Sequence, residues 1–268
     1  MSPSGLGKWP NNKNVIVINK IVLKADSKDI ALNFSGMFDS EGFSLFPWVR
    51  PVEMWDILGT NCFCDDDAQT EIARRLAGLP FDAVHWIDAG DYHYVSKIRA
   101  GLIDRPFDIV MFDNHPDTHE SDFSEMLNCG GWLYTALGTN PNLDHAIVAG
   151  IDPDLESECV RCGDKVTVLP GHVDDEEFFD AVSESNLPVF LTIDLDVMDK
   201  FYFHADWTQG EMDWNKMKTL LKGLLDRRAV IGIDICGGVP PGQGGTKEDF
   251  RTNMHLRAML HEFFYLNL

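Results

Sequence analysis

Phe107 to Asp117 reads FDIVMFDNHPD, a short apolar run that delivers Asp113, His115 and Asp117 at alternate positions just past its end. Pro188 to Asp199, PVFLTIDLDVMD, repeats the design with Asp194, Asp196 and then Asp199. Apolar runs bounded by turn formers predict buried strands, and open α/β sheets place their sites at the carboxyl ends of strands. Carboxylates gathered at neighbouring strand ends repel one another and resist desolvation unless cations neutralise them. The residue types therefore predict a metal site. Aspartate oxygens with a few imidazoles suit Mn²⁺, with Zn²⁺ and Fe²⁺ as less favoured alternatives, and a ligand set free of cysteine argues against a soft metal. Two ions account for the carboxylates better than one, because ions about 3.5 to 4 Å apart can share bridging aspartates and a water.

Strands and helices alternate along the chain that must position these groups. After a polar arm over residues 1–13, Val15 to Leu23 and Ile30 to Phe34 predict strands, followed by a Trp- and Phe-rich region through Trp55. Helical spacing over Ala68 to Leu79, capped by Asp67, precedes a strand Ala83 to Ile87 and a helix from about Tyr92 to Leu102. Strand Asp108 to Phe112, a helix near Trp132 to Leu137, and strands Ala146 to Ile151 and Lys165 to Leu169 come next. Helix Glu176 to Ser183, strand Val189 to Ile193, helix Trp214 to Asp226, strand Val230 to Ile233 and a long helix from about Lys247 to Tyr265 complete the order. Such alternation predicts a mainly parallel sheet with helices on both faces, as one domain over residues 14–268. Four strand ends then matter: Asp88, Asp91 and His93; Asp113, His115 and Asp117; Asp194 and Asp196; and Asp234 before a glycine-rich loop.

Composition narrows the function classes. At 44% apolar and 24% charged, the 268 residues carry enough material for a sizeable core. A formal charge of −21 argues against gripping phosphate backbones or anionic membranes, so neither nucleic acid nor a membrane surface is an expected partner. The N-terminus lacks the apolar region of a secretory signal, and no window reaches the roughly 18 apolar residues of a membrane span, which predicts a cytoplasmic location. Six cysteines are too few for a disulfide scaffold. Cys159 and Cys162 have zinc-knuckle spacing, and with Cys62 and Cys64 they would make a four-cysteine site if the pairs met; ordinary reduced thiols are the simpler expectation.

In DNHPD, TIDLDVMD and DAGDYHYVS the chain resembles the D-x-H-x-D, S-x-D-x-D-x-x-D-P and G-G-D-H-S motifs of the arginase and agmatinase (ureohydrolase) family, in the family's order, over roughly residues 80–240. The resemblance implies a divergent member with a three-layer α/β/α sandwich of the arginase/deacetylase kind and a manganese pair. It implies one Mn²⁺ held by His93, Asp113, Asp117 and Asp194, and a second by Asp113, His115, Asp194 and Asp196. It also implies a small-molecule substrate and allows a homo-oligomer. Three departures stand out. A tyrosine intervenes in GDYHY, so His93 is a better ligand candidate than Asp91. Gly237 stands where the family's guanidinium-binding glutamate belongs, which forfeits a charge-assisted contact worth roughly a few kcal/mol. LNCGGWL, with Gly130 and Gly131, lacks the family's proton-shuttle histidine.

The chemistry expected is hydrolysis of a linear amidine or amide C–N bond, with arginine itself disfavoured. Asp117 would orient the attacking water, and His119 would protonate the leaving nitrogen, with His204 and His172 as weaker alternatives. His119, Glu120 and the loop at Gly237 would meet the substrate. Two rivals remain at this point: a single-zinc deacetylase-like amidohydrolase, and a metal-stabilised binding protein that has lost its chemistry.

Overall fold

A computed structural model describes residues 29–119 and 126–268; the expected polar arm, the strand Val15 to Leu23 and the substrate candidate Glu120 lie outside the described residues. Among the described residues ten strands occur: β1 (Asp29–Asn33), β2 (Val49–Glu53), β3 (Phe63–Cys64), β4 (Val84–Ile87), β5 (Phe107–Phe112), β6 (Leu127–Asn128), β7 (Leu143–Ala149), β8 (Val166–Leu169), β9 (Val189–Asp194) and β10 (Val230–Cys236). Eight form one sheet in the order β2-β1-β4-β10-β9-β5-β7-β8, and every pairing within it is parallel. β3 and β6 make a separate antiparallel ribbon.

Seven α-helices flank the sheet: α1 (Met37–Glu41), α2 (Asp66–Leu76), α3 (Val95–Ala100), α4 (Trp132–Thr139), α5 (Asp175–Ser183), α6 (Trp214–Arg227) and α7 (Lys247–Asn267). α2, α3 and α4 contact one another in turn, as do α1, α7, α6 and α5, while β7 touches both α4 and α5. This is the three-layer α/β/α sandwich. Every residue of β4, β5 and β9 is buried, as an apolar run covered on both faces requires.

The helix starts follow from capping chemistry. Asp213 accepts from the amides of Asn215 and Lys216 at the head of α6, and Thr246 with Asp249 forms a reciprocal capping box on α7. The cap of α2 is Asp65, not the expected Asp67: its carboxylate accepts from the Ala68 amide, and Asp66 and Asp67 then sit in the first turn, where the helix dipole favours them.

Three differences from expectation bear on the site. β10 runs on to Cys236, three residues past the expected end. The predicted helix from Tyr92 is instead a 3₁₀ turn over Gly90–Tyr92 followed by α3, so the chain bends where it presents His93. β2 was not expected, since Pro51 interrupts it; on an edge strand the missing proline N–H costs nothing.

Candidate metal centre

The carboxyl ends of β5, β9 and β10, with the turn after β4, converge on one cluster. His93 and Asp113 are each 1% exposed, Asp196 2%, Asp194 4% and Asp117 6%. His93 Nδ1 lies 2.9 Å from Asp117 Oδ2, 3.2 Å from Asp113 Oδ2 and 3.7 Å from Asp194 Oδ2. His115 Nδ1 lies 2.8 Å from Asp196 Oδ2 and 3.6 Å from Asp113 Oδ1. The ligand atoms fall into compact groups: His93, Asp113 and Asp117; Asp113, His115 and Asp196; and His93, Asp194 and Cys236.

His93 Nδ1 and Asp113 Oδ2 are buried without a hydrogen-bond partner among the described residues: the acids beside Nδ1 are close but off the hydrogen-bonding line. Both are metal-donor atoms that face each other at 3.2 Å within a cluster of four carboxylates, an arrangement that suits a cation. The six side chains singled out in the sequence as ligands thus fit metal binding in donor type and position.

Local backbone chemistry aims these donors. Asp113 Oδ1 accepts from the His115 amide, Asp194 Oδ1 from the Asp196 amide, and Asp196 Oδ1 from the Asn114 amide. Asp113 and Asp194 therefore spend one oxygen on their own turns, an Asx-type arrangement, Asp196 spends one on the Asn114 amide at the end of β5, and each turns its other oxygen inward. Asp117 has φ +50°, a left-handed conformation uncommon outside glycine and found most often where function over-determines the backbone. Its carbonyl accepts from Leu133 N at the start of α4, and its Oδ2 from the indole N–H of buried Trp132 at 2.6 Å.

Behind His93 runs a chain of hydroxyls: His93 Nε2 meets Thr192 Oγ1 at 2.8 Å, Thr192 Oγ1 meets Ser96 Oγ at 3.2 Å, and Ser96 Oγ donates to Asp234 Oδ2 at 2.8 Å. Asp234 also pairs with Arg99. Because Ser96 spends its proton on Asp234, Thr192 must donate to Ser96 and accept from His93 Nε2–H. That places a proton on Nε2 and leaves Nδ1 as the nitrogen that faces the acids. His115 is held likewise, its Nε2 meeting Thr208 Oγ1 at 2.7 Å.

Electrostatics reflect the crowding. Burial, and then the Asp113 charge, push Asp117 up to about 7. Burial with the charges of Asp194 and Asp113 raises Asp196 well above the usual range, and burial with Asp113 raises Asp194. The imidazoles answer in the opposite sense: burial works against protonation, yet the carboxylates of Asp113 and Asp196 push His115 up to about 12, and those of Asp113 and Asp117 hold His93 well above its ordinary value.

The other strand-end acids do not join. Asp88 accepts from the amides of Phe34, Ser35 and Ala89 and from the Ser35 hydroxyl, so it organises the loop after β1. Asp234 belongs to the Arg99 ion pair. Asp91 accepts from the Trp207 indole at the rim. No four-cysteine cluster forms among the described residues, whose cysteines are all free thiols.

A cavity of about 180 Å³ opens over the cluster, lined by Asp113, His115, Asp117, Asp194 and Asp196 with Gly90, Pro116, His119, Cys129, Gly130, Leu155, Glu158 and Trp207. His119 stands at its mouth, half exposed, with Nδ1 3.9 Å from Glu158 Oε2. His172 lines a different cavity, and His204 faces Asp249 at 3.5 Å.

Of the three glycines at the departures from the motifs, Gly131 and Gly237 are packed in place, while a Cβ on Gly130 would meet nothing nearer than Asn128 Oδ1 at 3.9 Å. A Cβ on Gly131 would come within 2.2 Å of the His119 carbonyl, so a side chain there is excluded. Gly237 has φ +106°, and a Cβ would meet Asp194 Oδ1 at 2.9 Å. Its amide donates to Asp88 O and its carbonyl accepts from Arg257, so its polar atoms are committed to the protein.

Sequence reasoning missed Cys236, Thr192, Ser96 and Glu158. Only the first left a signal: it sits two residues past Asp234 on a strand that carries ligand-type groups on alternate positions.

Solved structures with this fold come from several enzymes. Proclavaminate amidino hydrolase of Streptomyces clavuligerus is similar with a TM-score of 0.65 at 16% identity, covering 89% of this chain and 92% of that one. Formimidoylglutamase of Bacillus subtilis gives 0.65 at 15% identity over 97% and 96%, and arginase of Bacillus caldovelox 0.58 at 14% over 87% and 98%. An uncharacterized protein of Thermotoga maritima is 28% identical over 158 residues, 59% of this chain and 59% of its own length. The model of the arginase family matches residues 77–252, which span β4 to the start of α7 and every candidate ligand, and the chain belongs to that family.

Proposed function

We propose that the protein is a binuclear-metal hydrolase of a linear C–N bond in a small amidine or amide other than arginine. The observation that supports this reading is the pair of ligand groups that share Asp113, with Asp194 beside His93 and with His93 Nδ1 and Asp113 Oδ2 left without hydrogen-bond partners. His93, Asp113, Asp117 and Asp194 would hold the deeper ion, and Asp113, His115, Asp194 and Asp196 the outer one, with Mn²⁺ in the oxygen-rich positions. Two such ions, when bound, acidify a shared water and polarise the carbon under attack.

The chain's own groups do the rest. Asp117, its second oxygen anchored by Trp132, accepts a hydrogen bond from the attacking water and so fixes its direction. His119, in its protonated form, donates to the departing nitrogen as the C–N bond breaks, and Glu158 beside it steadies that charge. Trp207 and Leu155 wall the cavity. With glycine at position 237 no carboxylate grips a guanidinium from β10, which supports a substrate with a smaller or less basic head than arginine. Two of the similar structures are named for amidino and formimidoyl chemistry, in keeping with that class.

The test pairs elemental analysis of Mn²⁺-supplemented protein with turnover of a panel of guanidino, formimidoyl and acetylamino compounds. Two ions per chain and hydrolysis of a non-arginine member are expected. One zinc with deacetylation would transfer the reading to the deacetylase branch, and full occupancy with no turnover would make the chain a metal-stabilised binding protein.

A further inference from the structure

Cys236 is the last residue of β10, 0% exposed, and in the sheet register it lies directly beside Asp194. Its Sγ stands 3.0 Å from Asp194 Oδ2. Sulfur, carboxylate oxygen and a ring nitrogen of His93 form one of the groups whose ligand atoms lie within 4.8 Å of one another. His93 Nδ1 is the unpartnered buried nitrogen described above, an observation independent of the thiol.

A cysteine that merely fills space would face apolar side chains. This one faces the acid cluster, where a thiol offers only a weak hydrogen bond. Cis ligands on one ion, with metal–sulfur near 2.3 Å and metal–oxygen near 2.1 Å, stand about 3 to 3.6 Å apart. The 3.0 Å separation lies at the near end of that range.

We propose that Cys236 is a thiolate ligand of the deeper ion, completing a set with His93 and Asp194 from beneath, on the side away from the cavity. This rests on the metal-centre reading given above. On binding, the S–H proton passes to solvent as the metal–sulfur bond forms, so the metal is not reduced and the sulfur is not oxidised. The consequence is a graded centre. The outer position, with Asp113, His115 and Asp196, keeps the hard oxygen and nitrogen set of a Mn²⁺ site. The deeper one, with sulfur, selects Zn²⁺, Co²⁺ or Fe²⁺ instead. The expectation of a cysteine-free ligand set is thereby revised for one of the two positions.

X-ray absorption at the zinc edge of the unmutated, Zn²⁺-loaded protein tests this without any substitution: a sulfur neighbour at about 2.3 Å is expected. Metal-free protein titrated with Co²⁺ should develop a sulfur-to-cobalt charge-transfer band in the near ultraviolet. The band should survive the double variant C159S/C162S, which removes the other spaced cysteine pair, and vanish in Cys236→Ser. Loss of an outer-shell partner typically weakens a metal by about 10–100-fold, so Cys236→Ser should weaken the deeper Zn²⁺ by at least that much. Two ions bound with oxygen and nitrogen neighbours alone would overturn the thiolate ligand and leave the metal centre standing. A sulfur signal that persists in Cys236→Ser and disappears in C159S/C162S would likewise overturn it. No bound metal at all would remove both readings.

Discussion

Strand β5 carries a buried aspartate at each end, and the two have opposite surroundings. Asp108, 2% exposed, meets the Arg228 guanidinium at 2.5 Å, and Arg228 in turn donates to the carbonyls of Val182 and Leu187. That end closes on itself, one charge against one. Asp113, 1% exposed, shares its surroundings with Asp117, Asp194 and Asp196 and has only two imidazoles to answer four carboxylates. Asp234 with Arg99 and Glu41 with Arg257 follow the closed pattern. Among the described residues Asp108, Asp234 and Glu41 each meet a guanidinium and Asp88 is answered by amides and a hydroxyl, whereas the four acids beyond the end of β5 share two imidazoles, which is the arrangement that suits a cation.

The sharpest way to break the contrast is to neutralise an acid on the open side. Asp194→Asn should lower turnover by about 10³-fold or more, the scale on which removing one group that stabilises a transition state acts. Its effect on the metal-free fold should have the other sign. A carboxyl whose folded pKa is raised above the unfolded value, as burial and Asp113 raise Asp194, destabilises the fold at every pH above that unfolded value. The metal-free variant should therefore melt higher than the metal-free parent at neutral pH. An equal or lower melting temperature would show that the open cluster carries no electrostatic debt.

At the closed end the same kind of change should cost stability. Arg228→Met leaves Asp108 buried and unpaired, a loss expected at about 3–5 kcal/mol, measured by chemical denaturation. Metal content and turnover per folded molecule should stay at the parental level. Loss of metal in this variant would mean that the two ends of β5 are not independent.

Chelation probes the open end directly. A ligand that binds only the folded state at about 100 times its Kd adds about 2.7 kcal/mol, so stripping the ions should lower the melting temperature, and restoring Mn²⁺ or Zn²⁺ should recover it. Unchanged melting across chelation and reloading would rule out folded-state metal binding.

The same contrast explains what could be read from residues alone. Strand ends, acids and histidines at alternate positions announce a cation site because no fold-building role needs them together, and the parallel sheet follows from long apolar runs alternating with amphipathic helices. The partners that close the network leave no such trace. Thr192 sits inside the buried strand β9, where a β-branched residue is unremarkable, and Ser96 in α3 lies far from it in sequence. Glu158 arrives on a stretch of 3₁₀ turns, Pro153–Lys165, kinked at Gly163 and about forty residues from the ligand loop in sequence; its carbonyl accepts from the Thr118 hydroxyl and so ties that stretch to the ligand loop. Asp88 and Asp234 looked like ligands by position, and only the loop amides around the one and Arg99 beside the other reveal them as structural. Cys236 was hidden by a strand boundary placed three residues too early.

Thr192 is where the closed and open regions join, and it sharpens the comparison most finely. The chain from His93 through Thr192 and Ser96 to Asp234 ends on an acid already matched by Arg99, so its polarity is set from the closed side and delivered to the open one. Thr192→Val keeps the shape of the side chain and removes the acceptor of the His93 Nε2 proton. His93 is then free to take the other tautomer, with its proton on Nδ1 where the ion belongs. Metal affinity should fall by about 10–100-fold, as for other partners that orient a metal-binding histidine. The fold should change little, because Val fits the same buried strand. Thr192→Ser restores the hydroxyl without the methyl group and should bind metal within a few-fold of the parent. Isothermal titration of the three proteins with Zn²⁺ separates hydrogen bonding from packing: equal affinities for the Val and Ser variants would mean that the relay positions nothing, and that His93 is held by the acids in front of it alone.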